Sequence, residues 1–252
     1  MPVATLDVAQ AVATVTLDSP GNHNALSAQL VAELCAHLDT AAQDPAVRVV
    51  VLTHAGSTFC AGADLVEAAA EGGPDAGTEG MLALLRQLVE LPKPVVARVD
   101  GHVRAGGLGL VGACDLALAG PAATFAFTEV RLGLAPAIIS LTTLTRLDER
   151  AAARYLLTGE RFDAATAERI GLVTEAPANL DRAVRALTEA FRACSPQGLA
   201  ETKSLTTRRV REAFEQQGAE LRAQSARLFG SEEAREGITA FLEKRPPRWA
   251  AA

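Results

Sequence analysis

The sequence predicts an α/β fold over roughly the first two thirds of the chain, followed by an all-helical remainder. Three observations predict it. Short apolar runs at Val47–Thr53, Val95–Val99 and Leu116–Ala119 read as buried strands. Stretches of helical period separate them, which is the alternation of an α/β protein. Beyond Leu180 only helical spacing appears, up to Pro246-Pro247.

The elements follow in order. Residues 3–8 and 12–17 read as two strands around Ala9–Ala11; in the second, Ala13, Val15 and Leu17 alternate with Thr14 and Thr16. Ser19-Pro-Gly-Asn breaks the pattern. Leu26, Leu30, Val31, Leu34, Cys35, Leu38 and Ala41 then recur at helical spacing, with Ser27 near the start and Asp44-Pro45 at the end. Glu67–Gly80, rich in Gly, Ala and acid, reads as a mobile loop or frayed helix. Met81–Leu91 is a helix stopped by Pro92-Lys93-Pro94. After the strand at Val95–Val99 comes a Gly-rich turn, then Leu116–Ala119, Thr124–Phe127 and a Gly/Pro loop at Gly133–Pro136. From Ser140 the pattern is mostly helical, with a short strand expected at Leu172–Thr174. A boundary near Cys194-Ser195-Pro196 divides the chain into 1–195 and 196–252.

Composition narrows the function. The 252 residues are 49% hydrophobic and only 4% aromatic, so the core is built mainly from Ala, Leu and Val. A formal net charge of −6 argues against nucleic acid as a partner, because phosphates need a basic face. No apolar run approaches the ~18 residues of a membrane span, and Met1–Leu17 lacks the pattern of a secretory leader. Cys35, Cys60, Cys114 and Cys194 are widely scattered, which suggests free thiols and a reducing cytosol. His23, His37, His54 and His102 show no ligand spacing, so no metal is expected.

Two clusters of small residues stand out. Gly107-Leu108-Gly109-Leu110-Val111-Gly112 matches Gly-x-Gly-x-x-Gly, but six residues separate it from the strand ending at Val99-Asp100. Too few residues remain before Leu116 for a crossover helix of ~10–12 residues, so the dinucleotide reading is weak. Ala105-Gly106-Gly107 reads better as a place where backbone approaches a ligand closely. A helix starting there would present free N–H groups and a positive dipole end. Phe59-Cys60-Ala61-Gly62-Ala63-Asp64-Leu65 offers a second free N–H, at Ala63. Two such donors on one oxygen form an oxyanion hole, each contributing roughly 2.7–4 kcal/mol to a transition state. Each cluster alone reads equally well as a tight turn in a closely packed Ala/Gly core.

Taken together the clusters resemble the crotonase superfamily, the enoyl-CoA hydratase/isomerase family. Phe59–Leu65 looks like its first oxyanion segment, Gly101–Asp115 like its second, and Thr128–Pro136 like its catalytic-glutamate segment. Asn24-Ala25-Leu26, Leu157-Thr158-Gly159, Ala167–Val173 and the ending Phe241–Arg245 are also similar. The resemblance implies a spiral of ββα turns with a C-terminal helical region that forms trimers or dimers of trimers. It implies N–H donors at Ala63 and Gly106 and a coenzyme A channel lined by Ala61, Gly62, Asp64, Leu65 and Gly107. It also implies that Asn24 and Ala25 lie against the coenzyme, and that Phe241 and Lys244 reach that of a neighbouring subunit. Coenzyme A is then part of the substrate, and no separate cofactor is expected.

One departure matters. Hydratases of this family carry two glutamates around the attacking water; Glu129 matches the second, and Gly109 fills the position of the first. Acid–base work then rests on Glu129, with a water expected in the vacated space. Glu129 follows the apolar run Phe125-Ala126-Phe127, and burial there would raise its pKa. Without the surrounding motifs it would read as a surface glutamate paired with Arg131. The expected reaction is hydration of a 2-enoyl-CoA, branched or carboxylated acyl groups included, with proton-shuttling isomerisation as the alternative and non-catalytic acyl-CoA binding as a third reading. Arg104, just before the Gly turn, is a candidate for holding a substrate carboxylate, or else points to solvent or a subunit contact.

Overall fold

The computed structural model describes residues 1–70 and 75–250. The chain opens with an antiparallel hairpin of β1 (Ala4–Ala9) and β2 (Val12–Leu17). Its two-residue turn places both Gln10 and Ala11 at positive φ, the geometry that matches strand twist. Helix α1 (Ala28–Gln43) follows, capped by the Ser27 hydroxyl accepting from Leu30 N–H.

Three turns of one motif then repeat. Each has a strand in a large sheet, a short strand in a second sheet, and helix. The first turn is β3 (Val49–His54), β4 (Thr58–Cys60), α2 (Leu65–Ala70) and α3 (Asp75–Glu90). The second is β5 (Val95–Val99), β6 (His102–Arg104) and α4 (Gly106–Ala113). The third is β7 (Leu116–Ala119), β8 (Thr124–Ala126) and, after a 3-10 turn at Glu129–Leu132, α5 (Ala137–Thr143). The large sheet has the order β1-β2-β3-β5-β7 and is parallel beyond the hairpin. The small sheet begins β4-β6-β8, also parallel. This is the ββα spiral that the motifs implied.

Next come α6 (Glu149–Thr158), β9 (Phe162–Asp163), which closes the small sheet antiparallel to β8, and α7 (Ala164–Arg169). The remainder is helical: α8 (Leu180–Arg192), α9 (Pro196–Thr206), α10 (Arg208–Phe229) and α11 (Glu232–Leu242). Among the described residues no helix is long and apolar enough to cross a membrane.

The large sheet is covered on both faces, which explains its unbroken apolar runs. Val50, Leu52, Val95 and Ala97 join the main core with Leu30, Leu34 and Leu38 of α1 and Leu84, Leu85 and Leu88 of α3. Val49, Val51, Val96 and Leu118 face the other way, onto Leu180 and Val184 of α8.

Several expectations need correction. The stretch 67–80 is helical in α2 and again in α3, apart from residues 71–74, which lie outside the described residues. Leu172–Thr174 makes no strand; Thr174 N–H donates to the Ala117 carbonyl and the chain leaves β7 after one bridge, Leu118 to Glu175. The Gly-rich turn holds a helix, α4, of only 8 residues. It fits there because Gly112 lets it approach the Thr142 backbone of α5, while Gly109 leaves room for the Ile139 side chain.

The C-terminal helices are fastened to the spiral by a buried cation. Lys203 of α9 sends its ammonium to the carbonyls of Leu88 (2.8 Å) and Lys93 (3.1 Å) and to the Asp115 carboxylate (2.8 Å). Asp115 in turn accepts from Val95 N–H at 2.7 Å. Removing one partner leaves the others buried and unpaired, a costly state. Lys203→Met should lower unfolding free energy by about 3 kcal/mol, read from denaturant titration. A loss within about 0.5 kcal/mol, the range of neutral surface substitutions, would show that the link is not a structural fastening.

Candidate active site

The site begins with two backbone bends in contact. The first runs from β4 into α2. Gly62 sits there at φ +92°, a conformation that strains any residue with a Cβ. Its N–H donates to Cys60 Sγ at 3.4 Å, and its carbonyl accepts from Leu26 N–H at 2.7 Å. Cys60 is thus a buried filler, its thiol pushed up to about 12 by burial. The second bend runs from β6 into α4. A Cβ added to Gly62 would lie 2.8 Å from the Ala105 Cβ and 3.3 Å from Gly106 N, so the two bends approach closely with only the Ala105 methyl against Gly62. Gly107 is held as closely, since a Cβ there would meet the Cys60 carbonyl oxygen at 2.9 Å.

The N–H groups at these bends are free. Gly106 is the first residue of α4, where helix geometry leaves the donor without a partner. Ala63 pairs with Leu26 only as an isolated bridge, made through its neighbours. Among the described residues neither the Ala63 nor the Gly106 N–H has an acceptor.

Glu129 is placed by β8. The Ala126 carbonyl accepts from Ala105 N–H at 3.1 Å, so the end of β8 is fixed against the second bend. Three residues later, within a span of ~10 Å, the chain reaches Glu129. Phe125 and Phe127 anchor this stretch through stacked contacts with Phe162. Gly133, at φ +71°, then turns the chain, and both its N–H and that of Leu134 donate to the Glu129 carbonyl. The carboxyl group itself is buried, and its Oε2 has no hydrogen-bond partner among the described residues. Burial disfavours the charged form and outweighs a hydrogen bond from its own backbone, so the pKa rises from the ordinary 4.5 to about 7. Arg131 does not pair with it; its guanidinium turns to the Thr158 carbonyl.

Gly109 is not an empty place. A Cβ built there would lie 2.6 Å from Ile139 Cγ2, 3.0 Å from Ile139 Cβ and 3.1 Å from Met81 Cε. The space expected to hold a water is filled by Ile139 from α5 and Met81 from α3. Met81 Cε and Leu26 Cδ1 also flank Gly106, at 3.5 and 3.1 Å from a Cβ built there. Leu26, Met81 and Ile139 therefore make an apolar wall beside the bends. Sequence reasoning missed all three, because nothing local distinguishes a wall residue from a core residue.

Other expected residues have different neighbours. Asn24 is fully buried, so its side chain is not available to a coenzyme. Its Oδ1 accepts from Ser19 N–H, and its Nδ2 donates to the carbonyls of Ala55 and Thr58, tying the chain before α1 to the end of β3 and the start of β4. Ala25, beside it, is also buried. Asp64 caps α2, accepting from Val66 and Glu67 N–H groups, and also accepts from the Asn22 side chain. Ala61 and Leu65 are half-buried next to the first bend. Arg104 is bound within the small sheet: its guanidinium donates to the Val103 and Thr124 carbonyls and to Thr124 Oγ1. Phe241, in the last turn of α11, and Lys244, just beyond it, are exposed.

Comparison with known proteins places the chain in one family. The family model described as Enoyl-CoA hydratase/isomerase matches residues 7–252. A solved structure of an enoyl-CoA hydratase from Mycobacterium avium is 54% identical, covers 98% of each chain and superposes with a TM-score of 0.90. One from Mycobacterium smegmatis is 34% identical over 100% of both chains, with a TM-score of 0.79. The mitochondrial enoyl-CoA hydratase of Pongo abelii is 33% identical over 93% of this chain and 82% of its own length.

Two predictions follow from the packing and the burial. Gly109→Glu alone should destabilise the fold by about 1–3 kcal/mol through overpacking, and adding Ile139→Ala should recover part of it. A single variant as stable as the parent in denaturant titration would contradict the filled space. For Glu129 the folded pKa is raised, so its contribution to stability is full below about 4.5 and is lost as pH rises through about 7. Glu129→Gln should therefore flatten the stability profile across that window and be the more stable protein at pH ~8, by chemical denaturation at each pH. Parallel profiles would contradict the buried carboxyl.

Proposed function

Because the chain belongs to the enoyl-CoA hydratase/isomerase family, we propose that it adds water across the 2,3 double bond of a 2-enoyl-CoA. In this reading the Ala63 and Gly106 N–H groups hold the thioester oxygen, and Glu129 is the acid and base. The observation that carries it is the buried Glu129 carboxyl group, whose Oε2 has no hydrogen-bond partner among the described residues and whose burial raises its pKa to about 7. A group of that strength takes and returns a proton efficiently at neutral pH.

The steps balance on one carboxylate. Glu129 removes a proton from water as the hydroxyl oxygen bonds to the β-carbon. The double-bond electrons move toward the thioester, whose oxygen gains negative charge and is held by the two N–H donors. The proton on Glu129 then passes to the α-carbon, the carbonyl re-forms, and the carboxylate is restored. No separate cofactor is required, since coenzyme A is part of the substrate. The names of the hydratases described above support this direction.

A second reading rests on a specific observation. Where a second carboxylate would stand, Ile139 and Met81 fill the space, which disfavours holding a water there. Isomerisation needs none: Glu129 removes a proton from C2 of a 3-enoyl-CoA, the dienolate is held by the same donors, and the proton returns to C4. The wall of Leu26, Met81 and Ile139 suits an apolar acyl group. With Arg104 bound to Thr124, support for a carboxylated one is weak. Exposed Phe241 and Lys244 support a shared coenzyme site in a trimer or hexamer.

Glu129→Gln should retain coenzyme A binding and lower turnover at least ~100-fold. The assay is mass-spectrometric analysis of products from 2-enoyl and 3-enoyl thioesters. A 3-hydroxyacyl product identifies hydration, and 2-enoyl formed from 3-enoyl identifies isomerisation. Turnover of neither substrate, or undiminished turnover by the Gln variant, would reject the assignment.

A further inference from the structure

We infer that Ala105 is a positioning residue: its strained backbone and its methyl group together fix the separation of the two bends that carry the Ala63 and Gly106 N–H groups. This rests on the oxyanion reading above and names a residue that acts through those donors.

The observation is conformational. Ala105 has φ +45° and ψ −120°. An L residue with a Cβ rarely adopts that combination, and holding it there costs free energy that only surrounding structure can offset. Three contacts supply the hold. Ala105 N–H donates to the Ala126 carbonyl at 3.1 Å, which ties it to the strand leading to Glu129. Its carbonyl accepts from Leu108 N–H at 2.9 Å, closing the first turn of α4. Its methyl packs against Gly62, where an added Cβ would lie only 2.8 Å away.

Glycine would adopt this φ and ψ without strain. Alanine keeps a methyl group between the two bends. That methyl stands next to Gly62, one residue before the Ala63 donor, and Ala105 itself precedes the Gly106 donor. It therefore acts as a spacer between the two bends. A donor pair must be held near its working geometry to act, and small displacements lower rates strongly. The arrangement exchanges stability for placement, the pattern expected where strain sits at a functional site.

The test compares Ala105→Gly, Ala105→Ser and the parent by thermal unfolding and by steady-state kinetics on the enoyl thioester that the parent turns over. Ala105→Gly should melt about 2–4 °C higher, because the strain is relieved. Its kcat should fall at least ~10-fold, with KM changed much less. Ala105→Ser keeps the Cβ and should hold kcat within about threefold of the parent. An Ala105→Gly variant that melts lower, or one that keeps parental kcat, overturns the inference. So does a Ser variant as slow as the Gly variant. Failure of the underlying assignment looks different: the parent itself then turns over no enoyl thioester, or Glu129→Gln is fully active, which removes the catalytic half of this inference as well.

Discussion

Close approach of two backbone bends, with only the Ala105 methyl between them, sets the geometry of this protein's working end. Gly62 and the Ala105–Gly106 bend approach so closely that a single methyl on Gly62 would collide with Ala105. The approach joins the first and second turns of the spiral at the points where each leaves the small sheet. It explains why β4 and β6 are short. Their task is to deliver two bends to one place, and the large sheet carries most of the packing. It also explains the composition around the bends, since only small residues allow main-chain donors to face a ligand directly.

The third turn contributes the carboxyl group, and its placement depends on packing from far along the chain. The turn after Glu129 is clamped by α11: a Cβ on Gly133 would meet the Glu233 backbone at 2.6 Å, and one on Gly237 would meet the Leu132 carbonyl oxygen at 2.5 Å. Helix α11 is thus part of the frame that holds Glu129. Its own end is held by Glu236, which binds Arg245 through both carboxylate oxygens and also accepts from Arg248 N–H. Those partners hold the Glu236 carboxyl down at about 2. The two glutamates show how environment decides role. One is kept ionised by cations, and the other is pushed toward neutrality by apolar burial.

Much of this was legible in the residues. Unbroken apolar runs marked β3, β5 and β7, because a strand covered on both faces needs no alternation. The glycine and alanine clusters marked the bends, and their order with Thr128–Pro136 pointed to the family. The short strands β4, β6 and β9 were not legible, since two or three residues carry no period. Asn24 was recognised as part of a motif, but the structural role of its buried side chain was not legible, because sequence shows that a polar residue is special without showing whether it faces inward. The filling of the Gly109 space by Ile139 was invisible for a related reason. It depends on how closely α4 and α5 cross, and the α4 glycines reveal that only once the helices are placed.

The account is tested most directly by a crystal structure with an unreactive enoyl-CoA analogue bound. The thioester oxygen should lie ~3 Å from both Ala63 N and Gly106 N, with the Glu129 carboxyl group facing the acyl α- and β-carbons. An oxygen bound by one of those nitrogens only, or an acyl chain that passes Glu129 on its far side, would contradict it.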